Sequence, residues 1–199
     1  MALAMNDKVL TEAFGPSEGA ALRIKQVAMV VLGIAVLAIA AKIKIPMWPV
    51  PMTMGTFAVL TIGAAYGPML GLTTILGYLI IGALGFDVFA GSSAEAYGLT
   101  YMMGGTGGYL VGYVLATLAL GYAARAGWDR SMGKMALAML LGNVIIYLPG
   151  VAWLGVLYGF DQPIVQWGLT PFLIGDALKL GLAALLLPAI WKMVGDARK

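Results

Sequence analysis

The chain is a succession of apolar runs separated by short polar or proline-rich breaks, and most runs are long enough to cross a lipid bilayer. That pattern leaves little choice of fold. Inside a hydrocarbon core roughly 30 Å thick no water satisfies a free N–H or C=O, so each crossing needs about 20 apolar residues closed into a helix. Of the 199 residues 61% are hydrophobic and 11% charged, and the mean hydropathy is +0.93. An all-α integral membrane protein is expected, with no separate soluble domain.

The runs predict six transmembrane helices, over residues 27–41, 54–66, 68–84, 104–124, 135–157 and 171–193. The stretch 54–84 is too long for one span, and Gly67-Pro68 interrupts it, which divides it into two tightly connected helices. Residues 1–22 form a polar N-terminal segment, 23–194 the membrane domain and 195–199 a tail. The start lacks the basic region and small-residue cleavage site of a signal peptide, so the first span is expected to stay in the mature protein.

Lysine and arginine fix an expected orientation. With both termini cytoplasmic, nine of the twelve fall on the inner side: Lys8, Arg23, Lys25, Arg125, Arg130, Lys134, Lys192, Arg198 and Lys199. Lys42 and Lys44 remain outside, which agrees with the positive-inside rule. The irregular loops 42–53, 86–103 and 158–169 then face outward. In the first, Pro46, Pro49 and Pro51 prevent a helix and favour extended backbone that must lie over protein rather than face lipid. It reads as a lid over a site or as a stiff connector.

Cysteine and histidine are absent, which removes thiolate, disulfide and imidazole chemistry and most zinc sites. A net charge of +3, thinly spread, does not suggest nucleic acid. Glycines at 63, 67 and 71 and at 104, 108 and 112 recur every fourth residue, a spacing that lets helix backbones approach closely. "GGTGGY" is not followed by the Lys-Ser/Thr of a phosphate loop, so any ATP must be bound by another subunit.

The chemistry concentrates in "TPFLIGDALKLG". Thr170 and Pro171 fit an N-cap and first turn, which places Asp176 and Lys179 on one face of the sixth span, roughly 7 to 12 Å below its outer end. Each charge costs about 2.5 to 3.5 kcal/mol near a helix centre, so both are expected to point into the bundle or a wet cavity. They form a structural ion pair or a site for a small polar molecule. Asn143 adds a polar wall or an interhelical hydrogen bond, with Tyr147 one turn outward. A proton-coupled carrier uses similar groups, but no clear internal repeat or pair of broken helices is present. An intramembrane hydrolase has little to work with: Ser92, Ser93 and Ser131 fall in loops.

The runs "VPMT" (50–53), "GP" (67–68), "YLIIGALG" (78–85), "VFAG" (88–91), "GTGGYL" (105–110), "YLPGVAWL" (147–154) and "PFLIGDALK" (171–179), in this order and spacing, closely resemble the BioY family of biotin transporters. These are substrate-binding (S) components of energy-coupling-factor (ECF) transporters. The resemblance implies a protein of the bacterial inner membrane that is not an enzyme. It implies biotin as transported substrate, no cofactor, and as partners two ATPase subunits with a transmembrane coupling protein. It places Asp176 and Lys179 in the substrate site. Asp176 would accept from the ureido N–H groups of biotin, and Lys179 would pair with its carboxylate or donate to its ureido oxygen. Trp48, Phe89 and Tyr101 are candidate apolar walls. Related S components for other vitamins remain an alternative. The chain departs from the family's pattern at Gly55, Asp87 and Gly105, and its first helix spaces Ala35, Ala38 and Ala41 by three where an alanine pair four apart serves docking. An Asp87 close to the site would repel a carboxylate.

Overall fold

The structure, a computed structural model, describes residues 8–91 and 96–197. Ser92, Ser93, Arg198, Lys199 and the first seven residues lie outside the described residues. Helices carry almost everything else: α1 (Gly19–Lys42), α2 (Gly55–Ala83), α3 (Gly98–Met102), α4 (Gly107–Arg125), α5 (Met132–Tyr158), α6 (Ile164–Gly168) and α7 (Leu173–Ala197). Five of these segments have the length and hydropathy of a membrane span, α6 and α7 counting as one. Large apolar side chains such as Val31, Ile80, Val111, Leu148 and Leu178 point outward, as lipid-facing surfaces require.

The sixth crossing comes from α2, which is broken as Gly67-Pro68 suggests. Gly67 has φ 77° and ψ 176°, a left-handed value that glycine reaches at little cost. Eight residues along an unbroken helix are about 12 Å apart. Yet a methyl group on Gly71 would lie 3.5 Å from the Cα of Gly63, so the halves 55–66 and 68–83 double back on each other. A methyl group there would sit in van der Waals contact with Gly63 and press on the Thr117 side chain of α4 at 2.9 Å. The described ends, near residues 8 and 197, therefore lie at the same end of the bundle, opposite the loops that follow α1, α2 and α5.

Of the two glycine ladders, Gly63, Gly71, Gly108 and Gly112 pack against neighbouring helices, whereas Gly67 forms the hairpin turn and Gly104 precedes α4. Gly63 and Gly71 both face Thr117 on α4, and a methyl group on Gly112 would meet the Ile146 backbone of α5 at 2.7 Å. One core lies between α2, α4, α5 and α7, around Leu60, Leu120, Met139, Ile146 and Leu154; a second joins α1 and α2 around Leu37, Ile75 and Phe89. At the terminal end the segment read as merely polar is built in. Val9 is fully buried against the Gly67 turn, Glu12 pairs with Arg125 at 2.7 Å, and Arg130 donates to the Lys8 carbonyl.

The described parts of the three loops hold more regular structure than their composition suggests. In the first, β1 (Lys44–Ile45) pairs antiparallel with β2 (Met52–Thr53), and the proline turn between them includes a cis Trp48-Pro49 peptide. The second and third contain the one-turn helices α3 and α6, which short windows of hydropathy do not reveal. Thr170 is no cap: it opens a 3-10 turn, Thr170–Phe172, and its hydroxyl donates to the Val165 carbonyl.

Candidate ligand-binding site

The hairpin, α4, α5 and α7 converge beneath the proline loop on a cavity with one charged end. Because α7 begins at Leu173, Asp176 falls in its first turn and Lys179 one turn deeper on the same face. Lys179 Nζ lies 2.8 Å from Asp176 Oδ1 and donates to Thr56 Oγ1 at 3.0 Å; the Thr56 hydroxyl lies 3.4 Å from the same carboxylate oxygen. The Tyr147 hydroxyl donates to Asp176 Oδ2. Asp176 and Lys179 are 5% and 8% exposed, so this is a buried, cross-braced ion pair linking α2, α5 and α7.

The rest of the wall is aromatic and apolar. Phe89 is 1% exposed, stacks on Tyr101 with ring centroids 5.0 Å apart, and meets the edge of Tyr78 at 5.3 Å. The Tyr78 hydroxyl donates to the Val88 carbonyl, which fixes the turn that carries Phe89. Tyr109, Tyr113 and Phe172 close the other side, and Val50 and Pro51 of the proline loop form the roof. One end can therefore take a flat group rich in hydrogen bonds, and the remainder an apolar ring or chain.

Four of the six residues expected at the site, Asp176, Lys179, Phe89 and Tyr101, line this cavity together. Trp48 does not: it is two-thirds exposed at the tip of the loop, edge-on to Trp167 at 5.0 Å and to Tyr158 at 5.5 Å. It pins the roof to α5 and α6 instead. Asn143 does not line it either. It is buried one turn from Tyr147, and it faces an apolar groove between α5 and α7 that meets the cavity only at Tyr147 and Asp176. Sequence reasoning missed Thr56 and Tyr113. The signal for Tyr113 was present, since Tyr109, Tyr113 and Thr117 run as a polar stripe, four apart, along an otherwise apolar helix. Thr56 is one of four threonines in α2, and only the fold singles it out by bringing it to Lys179. Asp87, which would repel an acidic ligand if it lay close, does not line the cavity and is paired with Lys42 at 2.5 Å.

A multi-pass helical membrane protein with a roofed, aromatic cavity and a charged end is thus the class that the fold and the site define. Within that class the family is clear, because the sequence profile of the BioY family matches residues 11–196. The chain belongs to the BioY family. It is 36% identical to a probable biotin transporter BioY of Pyrococcus horikoshii, over 83% of this chain and 95% of that one. It is 32% identical to the biotin transporter BioY of Thermotoga maritima, over 76% and 87%. Among solved structures, the crystal structure of the S-component for biotin from an ECF-type ABC transporter shares the fold. The TM-score is 0.71 with 19% identity, covering 88% of this chain and 95% of that one.

Proposed function

We propose that the chain captures biotin from outside the cell and delivers it inward as the S component of an ECF transporter. The observation that carries this reading is the Asp176–Lys179–Thr56–Tyr147 cluster at the head of an aromatic cavity. A carboxylate offers about four acceptor sites and an ammonium three donors. Thr56, Tyr147 and the pair itself use three acceptor sites and two donors, so acceptor and donor capacity remain side by side. A cyclic urea needs that combination, an acceptor for N–H beside a donor for C=O. Since the two charged atoms lie 2.8 Å apart, both serve the same end of the ligand, and Lys179 donates to the ureido oxygen. The thioether ring and valeryl chain then rest against Phe89 and Tyr101.

The cytoplasmic placement of both termini is part of the proposal. Lys8, Arg23, Lys25, Arg125, Arg130, Lys134 and Lys192 lie at the end opposite the roof, which supports an outward-facing cavity. Two ATPase subunits and a transmembrane coupling protein would supply the energy in a bacterial cell membrane. Competition for bound biotin tests the ureido reading: dethiobiotin, which keeps the urea, displaces it, and lipoate, which keeps an apolar sulfur ring and acid chain without the urea, does not. Displacement by both alike would count against Asp176 and Lys179 as the recognition end.

A further inference from the structure

Two lysines hold the turn that carries Phe89, and neither belongs to the cavity itself. Lys42, the last residue of α1, pairs with the Asp87 carboxylate at 2.5 Å and donates to the Phe89 carbonyl at 2.7 Å. Lys44, the first residue of β1, donates to the carbonyl of Ala90. Residues 86–91 form an irregular turn, and carbonyls in such a turn need donors from elsewhere. The side chain that follows from this backbone is the buried ring stacked on Tyr101, whereas the clasp itself is half open to water, its lysine and aspartate side chains 39% and 68% exposed. We propose that Lys42 and Lys44 form a two-point clasp that keeps Phe89 in the cavity wall and so sets how fast the ligand leaves. These are positioning residues acting through Phe89. The proposal rests on the cavity as the ligand site and deepens that reading.

The chemistry gives the clasp a signature that plain packing lacks. An exposed ion pair is screened by salt, while the stacked rings beneath it are not. Opening the clasp changes mainly the dissociation rate, because the roof and the charged end are left intact.

The test uses the full chain in detergent and two readouts. Release of radiolabelled biotin is followed for the parent protein, Lys42→Gln and Asp87→Asn at low and high salt. Both variants should release about two- to fivefold faster at low salt, the range an exposed ion pair supports, and high salt should bring the parent toward them while moving them little. The second readout needs no ligand. The chain has no cysteine, so Ala90→Cys reports the turn alone, and a water-soluble maleimide should label it faster when Lys42→Gln is added. Equal labelling rates with and without Lys42→Gln, or equal release from all three proteins, would overturn the clasp. If the parent binds no biotin, the ligand reading falls and the labelling rates alone decide the clasp.

Discussion

Lys179 sits 2.8 Å from Asp176, three residues away on the same helix, and both side chains are more than nine-tenths buried. Their opposite charges make the pair tolerable in a membrane, where either alone would be costly. Their shared contacts with Thr56 and Tyr147 keep them in one orientation. The pair serves both structure and recognition, and the two roles separate on mutation. Asp176→Asn keeps an acceptor for Tyr147 but loses the charge-assisted bond to a ureido N–H. It should weaken biotin binding by about 1–3 kcal/mol, roughly five- to 150-fold, in the protein that folds, and also lower stability because Lys179 loses its counter-charge. Affinity equal to the parent's in a folded variant would reduce the pair to a structural bridge.

Val50 and Pro51 form part of the roof, and Trp48 holds that loop against Trp167 and Tyr158. Shortening the loop across 46–51 should speed biotin release, measured by chasing bound label with excess cold ligand. An unaltered rate would make the loop a connector only.

A side chain on Gly112 would press on the Ile146 backbone, which cannot swing aside as a side-chain tip can. Gly112→Ala should cost about 1–3 kcal/mol of stability in detergent unfolding. Gly181→Ala is the control: it has nothing within 4 Å and lies on a helix, so its stability should be unchanged or slightly raised. Equal behaviour of the two would mean that α4 and α5 are not in backbone contact.

Much of this architecture was legible because its causes are local. Gly67-Pro68 announced the hairpin, since proline breaks a helix and glycine supplies the left-handed backbone that turns it back. The charged pair was legible because a buried charge in a membrane demands an explanation. What remained hidden depends on contacts between distant segments. Thr56 meets Lys179 across 123 positions, and Val9 seals the Gly67 turn from a segment whose neighbours are polar. Trp48 and Asn143 carry the right chemistry, but only the fold shows that one faces the aqueous rim and the other a groove outside the cavity.

At the terminal end, the Asp129 carboxyl is fully buried in the α4–α5 turn and accepts from Trp191 Nε1 at 2.5 Å. Burial pushes its pKa above the ordinary value, while the Trp191 bond and Arg130 pull the other way. The folded value therefore exceeds the unfolded one of about 3.9. The stability this group contributes is fully present below the unfolded value and is lost as pH rises through the folded value. Asp129→Asn keeps an acceptor for Trp191 without the titration. Its melting temperature should gain on the parent's as pH is raised from about 4 toward neutrality. Parallel curves would show that burial does not govern this carboxyl.

The central claim is that an empty, folded chain binds biotin in the cavity headed by Asp176 and Lys179. Calorimetric titration of detergent-purified protein, shown by mass spectrometry to carry no vitamin, tests it most directly. Tight binding of one biotin per chain, weakened in Asp176→Asn, is the predicted result; no heat of binding from folded, unoccupied protein would contradict it.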